Sequence, residues 1–480
     1  MAKQSIVLAV ALAASLCAAA GGCFAAAGPE NARTALQKAQ KTLGNPQSIQ
    51  FSGTGMNGFF GQALTAGEPW PRRNLESVTE SINYDQRSAR MEFVFKEEVF
   101  QGKRQNAQVN GDRAWTARPN GVVPQPATAE ERQLQIWMSP HGFVRAGLAA
   151  KDLSLKPQTE GGKTVNVVSF TVMGKYTLEG VIDASGHVTQ VGTQFPNPVL
   201  GDMSYRFAYS NYRNFGGIEF PGRILQSEDN YPVNDFTVMS VKPNAAVDIP
   251  VPPEVQSAAV PVKVITSKLG DGVWFAGGGT HHSVIVEFRD FLAVIEAPQN
   301  EERSLAVMAQ ARMLAPNKPI RYVVNTHHHF DHAGGLRTYV AEGTTVVTHA
   351  SNKAYWERSF AAPATLVPDA QSKARRQPKI QTVTDQGKYV ITDGTQTIEV
   401  YGTTGDDHSR ELLIAYIPSA RVLVEADSFA GGSTTNSLAD EQALARHIER
   451  LKLAPATIAG IHGSGPVPFE EFNKDLARAR

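Results

Sequence analysis

The sequence predicts an α+β protein built from two unlike halves, and three observations carry that prediction. Before residue 245 the chain runs through many short alternations of apolar and polar residues separated by turn residues, the pattern of antiparallel sheet with one solvated face. After residue 264, strand-like runs are interleaved with stretches of helical period, the pattern of sheet layers covered by helices. Between them, residues 245–264 carry four prolines and no helical period, which marks an extended linker.

Taken in order, residues 1–27 read as a secretory signal peptide. Lys3 is followed by a mostly apolar run over 6–20, and Ala25, Ala26 and Ala27 suit cleavage before Gly28. The apolar run is too short to span a bilayer comfortably. This places the mature protein in the periplasm or outside the cell. Both cysteines, Cys17 and Cys23, lie within this segment, so the mature chain has no disulfide to form and no thiolate ligand to offer. Gly21-Gly22-Cys23 leaves open a lipid-modified cysteine, although Ala20 stands where a lipoprotein signal favours leucine.

Residues 28–244 form the β-rich first domain. A helix is expected over 31–43, where Ala35, Leu36, Ala39 and Leu43 share one face. Alternating runs follow at 48–51, 81–84, 90–95, 165–172, 176–182 and 204–211, interrupted by helix near 129–149. The pattern, including Gly-Gly-Ile-Glu-Phe-Pro-Gly-Arg at 216–223, resembles the half-barrel of periplasmic lipoprotein-carrier domains. That resemblance implies an apolar groove, with lipid or peripheral membrane contact; the alternative is a docking or folding module.

Residues 265–480 form the second domain. Strands are expected at 285–288, 292–296, 322–325, 345–348 and 458–461, with helices at 301–314, 336–340, 441–451 and from 469. The runs 380–384, 389–392 and 397–401 read as an antiparallel set, and 411–417 with 421–425 as a hairpin. Formal charges balance, with 46 basic and 46 acidic residues, and no basic block argues for nucleic acid.

Imidazole chemistry belongs to this second half. Of twelve histidines only His141 and His187 precede the linker, and four of the rest crowd into Thr-His-His-His-Phe-Asp-His at 326–332. Alternate side chains of an extended segment share a face, so His327 and His329 suit one cation, while Asp331 and His332 suit a second beside it. Further candidate ligands follow other expected strands: His408, Asp427 and His462. His328, between two of these ligands, is expected to face away, His349 to be structural and His447 to be solvated. His281 and His282 either line a substrate mouth or cap their loop.

Thr-His-His-His-Phe-Asp-His is similar to the Thr-His-x-His-x-Asp-His signature of the metallo-β-lactamase superfamily. Gly405-Asp406-Asp407-His408, Glu425-Ala426-Asp427 and Ile461-His462-Gly463 follow in that superfamily's order. The resemblance implies a C-terminal αββα sandwich and two zinc ions per chain. It places one zinc on His327, His329 and His408, the other on Asp331, His332 and His462, with Asp427 bridging. Ala426-Asp427-Ser428 fits a bridging aspartate, and it also fits relatives with serine there and no bridge; the bridge is preferred. Many members have Gly-His-Thr where this chain has Gly405-Asp406-Asp407.

The implied activity is hydrolysis of a small molecule, in which metal-bound hydroxide attacks an ester, lactone or amide carbonyl and Asp331 orients the hydroxide and takes its proton. The alternatives are sulfate- or phosphate-ester hydrolysis, β-lactam hydrolysis, and a zinc-binding lipid carrier or sensor without catalysis.

Overall fold

In the computed structural model, residues 29–99, 102–160, 163–258, 262–404, 408–429, 437–463 and 465–478 are described. The proposed signal segment and Gly405-Asp406-Asp407 lie outside these residues. No helix among the described residues is long and apolar enough to cross a membrane.

The first domain is built on an antiparallel sheet of thirteen strands, with a separate two-stranded ribbon of Arg213–Phe215 and Ile218–Phe220. Its first strand, Ser48–Gly58, lies between Arg72–Asn83 and the last strand, Tyr231–Pro243, so the two ends of the domain pair at the middle of the sheet. The helices Pro29–Leu43, Ala129–Met138 and Pro140–Ala149 pack into its apolar side. Ala32, Leu36, Ala39 and Leu43 are fully buried along one stripe of the first helix, as its sequence spacing requires. Gly180 is needed where the Phe143 ring lies on the sheet, since a Cβ there would come within 2.1 Å of that ring. Beside these helices a cavity of about 230 Å³ is lined by Phe51, Ile82, Met91, Phe93, Phe236 and the carboxyl-bearing Glu80. Burial lifts Glu80 from its ordinary 4.5 to about 7. The fold is a broad antiparallel sheet with inserted helices.

The linker follows the first domain's surface. Val247, Ile249 and Val255 are buried around Trp115, and Asn83 and Asn110 donate to the carbonyls of Val247 and Ile249. A short helical turn, Pro253–Gln256, interrupts the extended path.

The second domain is an αββα sandwich. Its first sheet orders Ile265–Gly270, Val273–Gly277, Ser283–Glu287, Leu292–Ile295, Ile320–Val324, Thr345–His349 and Lys379–Val383. Its second orders Lys388–Thr392, Thr397–Thr403, Leu412–Ile417, Val422–Glu425, Thr457–Gly460 and Val467–Pro468. Val284, Val286, Ile295 and Val324 from one sheet meet Val400, Leu413, Val424 and Ala459 from the other. The outer faces are covered by Glu301–Leu314, Leu336–Ala341 and Lys353–Ala361 on one side, and by Leu438–Arg450 and Phe469–Arg478 on the other.

Two expectations are corrected here. Lys379–Val383 is not antiparallel to the strands after it; it runs parallel to Thr345–His349 in the first sheet, and the chain then crosses to open the second sheet. Alternation reports a buried face but not which neighbour covers the strand's edge. His447 is buried, because it shares the inward stripe of its helix with Leu444 and Ile448.

Candidate metal centre

The rim of the sandwich is assembled from strand ends. Ile320–Val324 leads into His327, His329, Asp331 and His332; Thr397–Thr403 precedes His408; Val422–Glu425 precedes Asp427; Thr457–Gly460 precedes His462. The last three strands point the same way, because two antiparallel steps separate the first two and the third pairs parallel. Their C-terminal ends therefore arrive together.

Two clusters of ligand-capable atoms result, each with all its atoms within 4.8 Å of one another: His327, His329, His408 and Asp427 in one, and His281, Asp331, His332 and His462 in the other. Asp427 faces both. Its Oδ2 lies 3.3, 2.9 and 3.2 Å from Nε2 of His327, His332 and His408, and its Oδ1 lies 3.0 Å from His462 Nε2. All seven expected ligands are thus brought to one place. His281 joins them with Nε2 3.0 Å from Asp331 Oδ2, whereas His282 turns away to the Gly463 carbonyl and packs on Phe275.

The chemistry of the donors suits divalent metal. His329 Nδ1 is buried with no hydrogen-bond partner within the described residues, and the buried His327 Nε2 and His408 Nε2 converge with His332 on the single oxygen Asp427 Oδ2. An orphaned nitrogen is costly unless something coordinates it. Burial, with neighbouring imidazoles adding to it, holds His327 and His329 well below the ordinary histidine range, so both keep a bare lone pair. At Asp331 and Asp427 burial works upward, but the adjacent histidines outweigh it and both stay well below the usual carboxylate range. His462 shows the converse balance: burial lowers it, and hydrogen bonds to Asp331 and Asp427 lift it to about 9.

Supporting side chains fix these groups. Glu296, fully buried and at φ +75°, accepts from Asn325 Nδ2 (3.1 Å) and the Thr326 hydroxyl, and stands 3.5 Å from His332 Nδ1. Glu425 accepts from the backbone N–H groups of Ser428 and Phe429, which shapes the turn carrying Asp427 at φ +64°. Burial pushes Glu425 up to about 8. His349 is held by Ser351 and lies 2.9 Å from Asp385, outside both clusters.

A feature not foreseen in the sequence is the part played by the first domain. The loop 59–71, between its strands Ser48–Gly58 and Arg72–Asn83, is seated on the metal-ligand segment. The Gly61 carbonyl accepts from Phe330 N (3.1 Å), and the Leu64 carbonyl from Arg410 N (3.0 Å). Gln62 Nε2 donates to Asp331 Oδ1 (2.7 Å). The Ala63 carbonyl accepts from Nε2 of both His328 (2.7 Å) and His329 (3.0 Å). A carbonyl only accepts, so His329 carries its proton on Nε2 and presents Nδ1 as a lone pair. Phe330 is clasped edge-on by Phe60 and Trp70, with ring centroids 5.3 and 5.6 Å away. Nothing local marks this loop: its partners lie more than 260 residues away, and one contributor is a backbone carbonyl.

An αββα sandwich with two histidine–aspartate clusters on one rim defines a metallo-β-lactamase fold, and the second domain has that fold. Residues 274–450 match the family described as Metallo-beta-lactamase superfamily, so the C-terminal domain is of that superfamily. Among solved structures, a metallo-beta-lactamase from Pontibacter korlensis is similar at 18% identity, covering 45% of this chain and 98% of that one, with a TM-score of 0.35. One from Hirschia baltica is similar at 20% identity, covering 45% and 96%, with a TM-score of 0.34. One from Erythrobacter litoralis gives 19% identity, 45% and 95% coverage, and a TM-score of 0.33. None of the curated proteins matches the chain.

Proposed function

We propose that this protein is an exported binuclear zinc hydrolase that cleaves an ester, lactone or amide of a small molecule. The observation that carries the reading is the pair of clusters sharing Asp427, with bare imidazole nitrogens buried at their centre. His327, His329 and His408 would hold one zinc, Asp331, His332 and His462 the other, and Asp427 would bridge. A metal pair so held supplies Lewis acidity and an ionised water at neutral pH. The chain's own groups set the rest. Asp331 Oδ2 faces the histidines, and its Oδ1, steadied by Gln62, keeps a lone pair for orienting water and receiving its proton. Two divalent cations against two carboxylates leave the centre positive, which favours reactions that build negative charge, as acyl transfer does. The fold hosts several chemistries, so bond class rests on export and on this charge balance.

The cavity of the first domain, walled by Phe51, Ile82, Met91, Phe93 and Phe236, favours a second reading, a lipid carrier or sensor. The two are separated by metal analysis of the purified full chain together with turnover of chromogenic esters, lactones, cephalosporins and sulfate and phosphate esters, each with and without chelator. Two equivalents of zinc and chelator-sensitive ester or lactone turnover are expected. Metal-free protein that binds a lipophilic dye and turns over nothing overturns the hydrolase reading.

A further inference from the structure

We propose that His281 is an additional protein ligand of the second metal position, completing it as His281, Asp331, His332 and His462. This rests on the binuclear reading above and deepens it.

The distances carry the argument. Asp331 Oδ2 lies 3.0 Å from His281 Nε2, 3.6 Å from His462 Nε2 and 3.8 Å from His332 Nε2, and the two last nitrogens are 3.0 Å apart. Four donors about 2.0–2.2 Å from one tetrahedral ion stand roughly 3.3–3.6 Å from each other. The observed separations straddle that range, the His281–Asp331 distance matches the 3.0 Å between His332 and His462, and all four donors lie within 4.8 Å of one another.

The position is also built. His281 Nδ1 lies 2.9 Å from Thr280 Oγ1, which itself accepts from Gln299 Nε2 at 3.2 Å. A proton on Nδ1 directed to that hydroxyl leaves Nε2 bare toward the cluster. The backbone is tied from two sides. His281 pairs with His462 in an isolated antiparallel bridge, and His282 N donates to the Ile461 carbonyl at 2.9 Å. Arg303, 1% exposed, reaches the carbonyls of Lys263, Ala276 and Gly277 at 2.7–3.0 Å and that of His281 at 3.3 Å. The His281 ring sits 4.0 Å from that of His462, centroid to centroid. A loop that only formed a substrate mouth would not need an imidazole locked against two ligands.

Four protein donors, with Asp427 beside them, fill this position more completely than three histidines and Asp427 fill the other.

The test compares full-length wild type, His281→Ala, His281→Gln and His462→Ala. Each is assayed by elemental analysis, by competition of bound zinc with a chromophoric chelator, and by visible absorption after cobalt substitution. Loss of an outer-shell partner weakens metal binding about 10–100-fold, so loss of a direct ligand should exceed about 100-fold. Both His281 variants should retain one tight metal, lose the second on dialysis as His462→Ala does, and change the cobalt bands of the second site. His281 variants that hold two metals within about threefold of wild-type affinity, with unchanged cobalt bands, overturn the assignment while leaving the binuclear reading intact. Wild type that binds no metal overturns both.

Discussion

Replacing Gln62 by leucine removes one hydrogen bond across the domain boundary and nothing from the ligand set. The bond is short, 2.7 Å, and its acceptor is an ionised carboxylate. Bonds to charged partners contribute about 1.5–3 kcal/mol, and a supporting partner of a metal ligand is worth about 10–100-fold in affinity. The Asp331 side chain is 33% exposed, so water replaces part of what Gln62 supplied, and the lower end applies. The second zinc should bind about tenfold more weakly, close to 1.4 kcal/mol, with the first unchanged. Competition against a chelator of known affinity, on the full chain, reads both constants. Gln62→Glu should be distinguishable in the same assay, since it sets a second carboxylate against Asp331. Second-site affinity within threefold of wild type for both variants would refute the reasoning that the first domain helps to form the metal centre.

Gly61→Ala should unseat the same loop: at φ +77° a Cβ is strained by about 1–2 kcal/mol and meets the Phe330 ring at 2.9 Å. The first domain, which carries the strain, should melt about 2–8 °C lower, and the second metal should be released more easily; unchanged melting and unchanged metal retention would mean that the loop does not rest on Phe330 in solution. Glu80→Gln tests the cavity carboxyl. Because burial raises Glu80 from 4.5 to about 7, the folded state holds a proton that the unfolded chain has released, so stability falls as pH rises between these values and is flat above them. The variant should therefore unfold at a higher temperature than wild type at pH 8 and show no such advantage at pH 4, and a difference that does not vary with pH would contradict it.

The centre was legible in the sequence where ligands sit close together or follow recognisable strands. His327, His329, Asp331 and His332 fall within six residues, and His408, Asp427 and His462 each trail an apolar run that reads as a strand. What failed to show is non-local. Lys379–Val383 has the alternation of a strand, but its parallel partner is set by the crossover, not by its residues. His281 drew notice as a loop histidine, and only the pairing of its backbone with His462 brings it among the ligands. Gln62 and Ala63 carry no signature at all. An amide and a carbonyl become part of a metal centre only when two domains meet, and alternation within the first domain says nothing about where its loops land.

The loop 59–71 also has a consequence for how such a protein can change. It borders the metal-binding rim yet holds none of the proposed ligands, and it is anchored to its own domain through Tyr231, whose hydroxyl donates to the Gly67 carbonyl at 2.6 Å. Exchanges at its exposed residues Leu64, Glu68 and Pro69 would reshape the surroundings of the rim while the histidine and aspartate side chains stay where they are. The surroundings of the rim can then vary through one domain while its ligand-capable side chains are kept in the other.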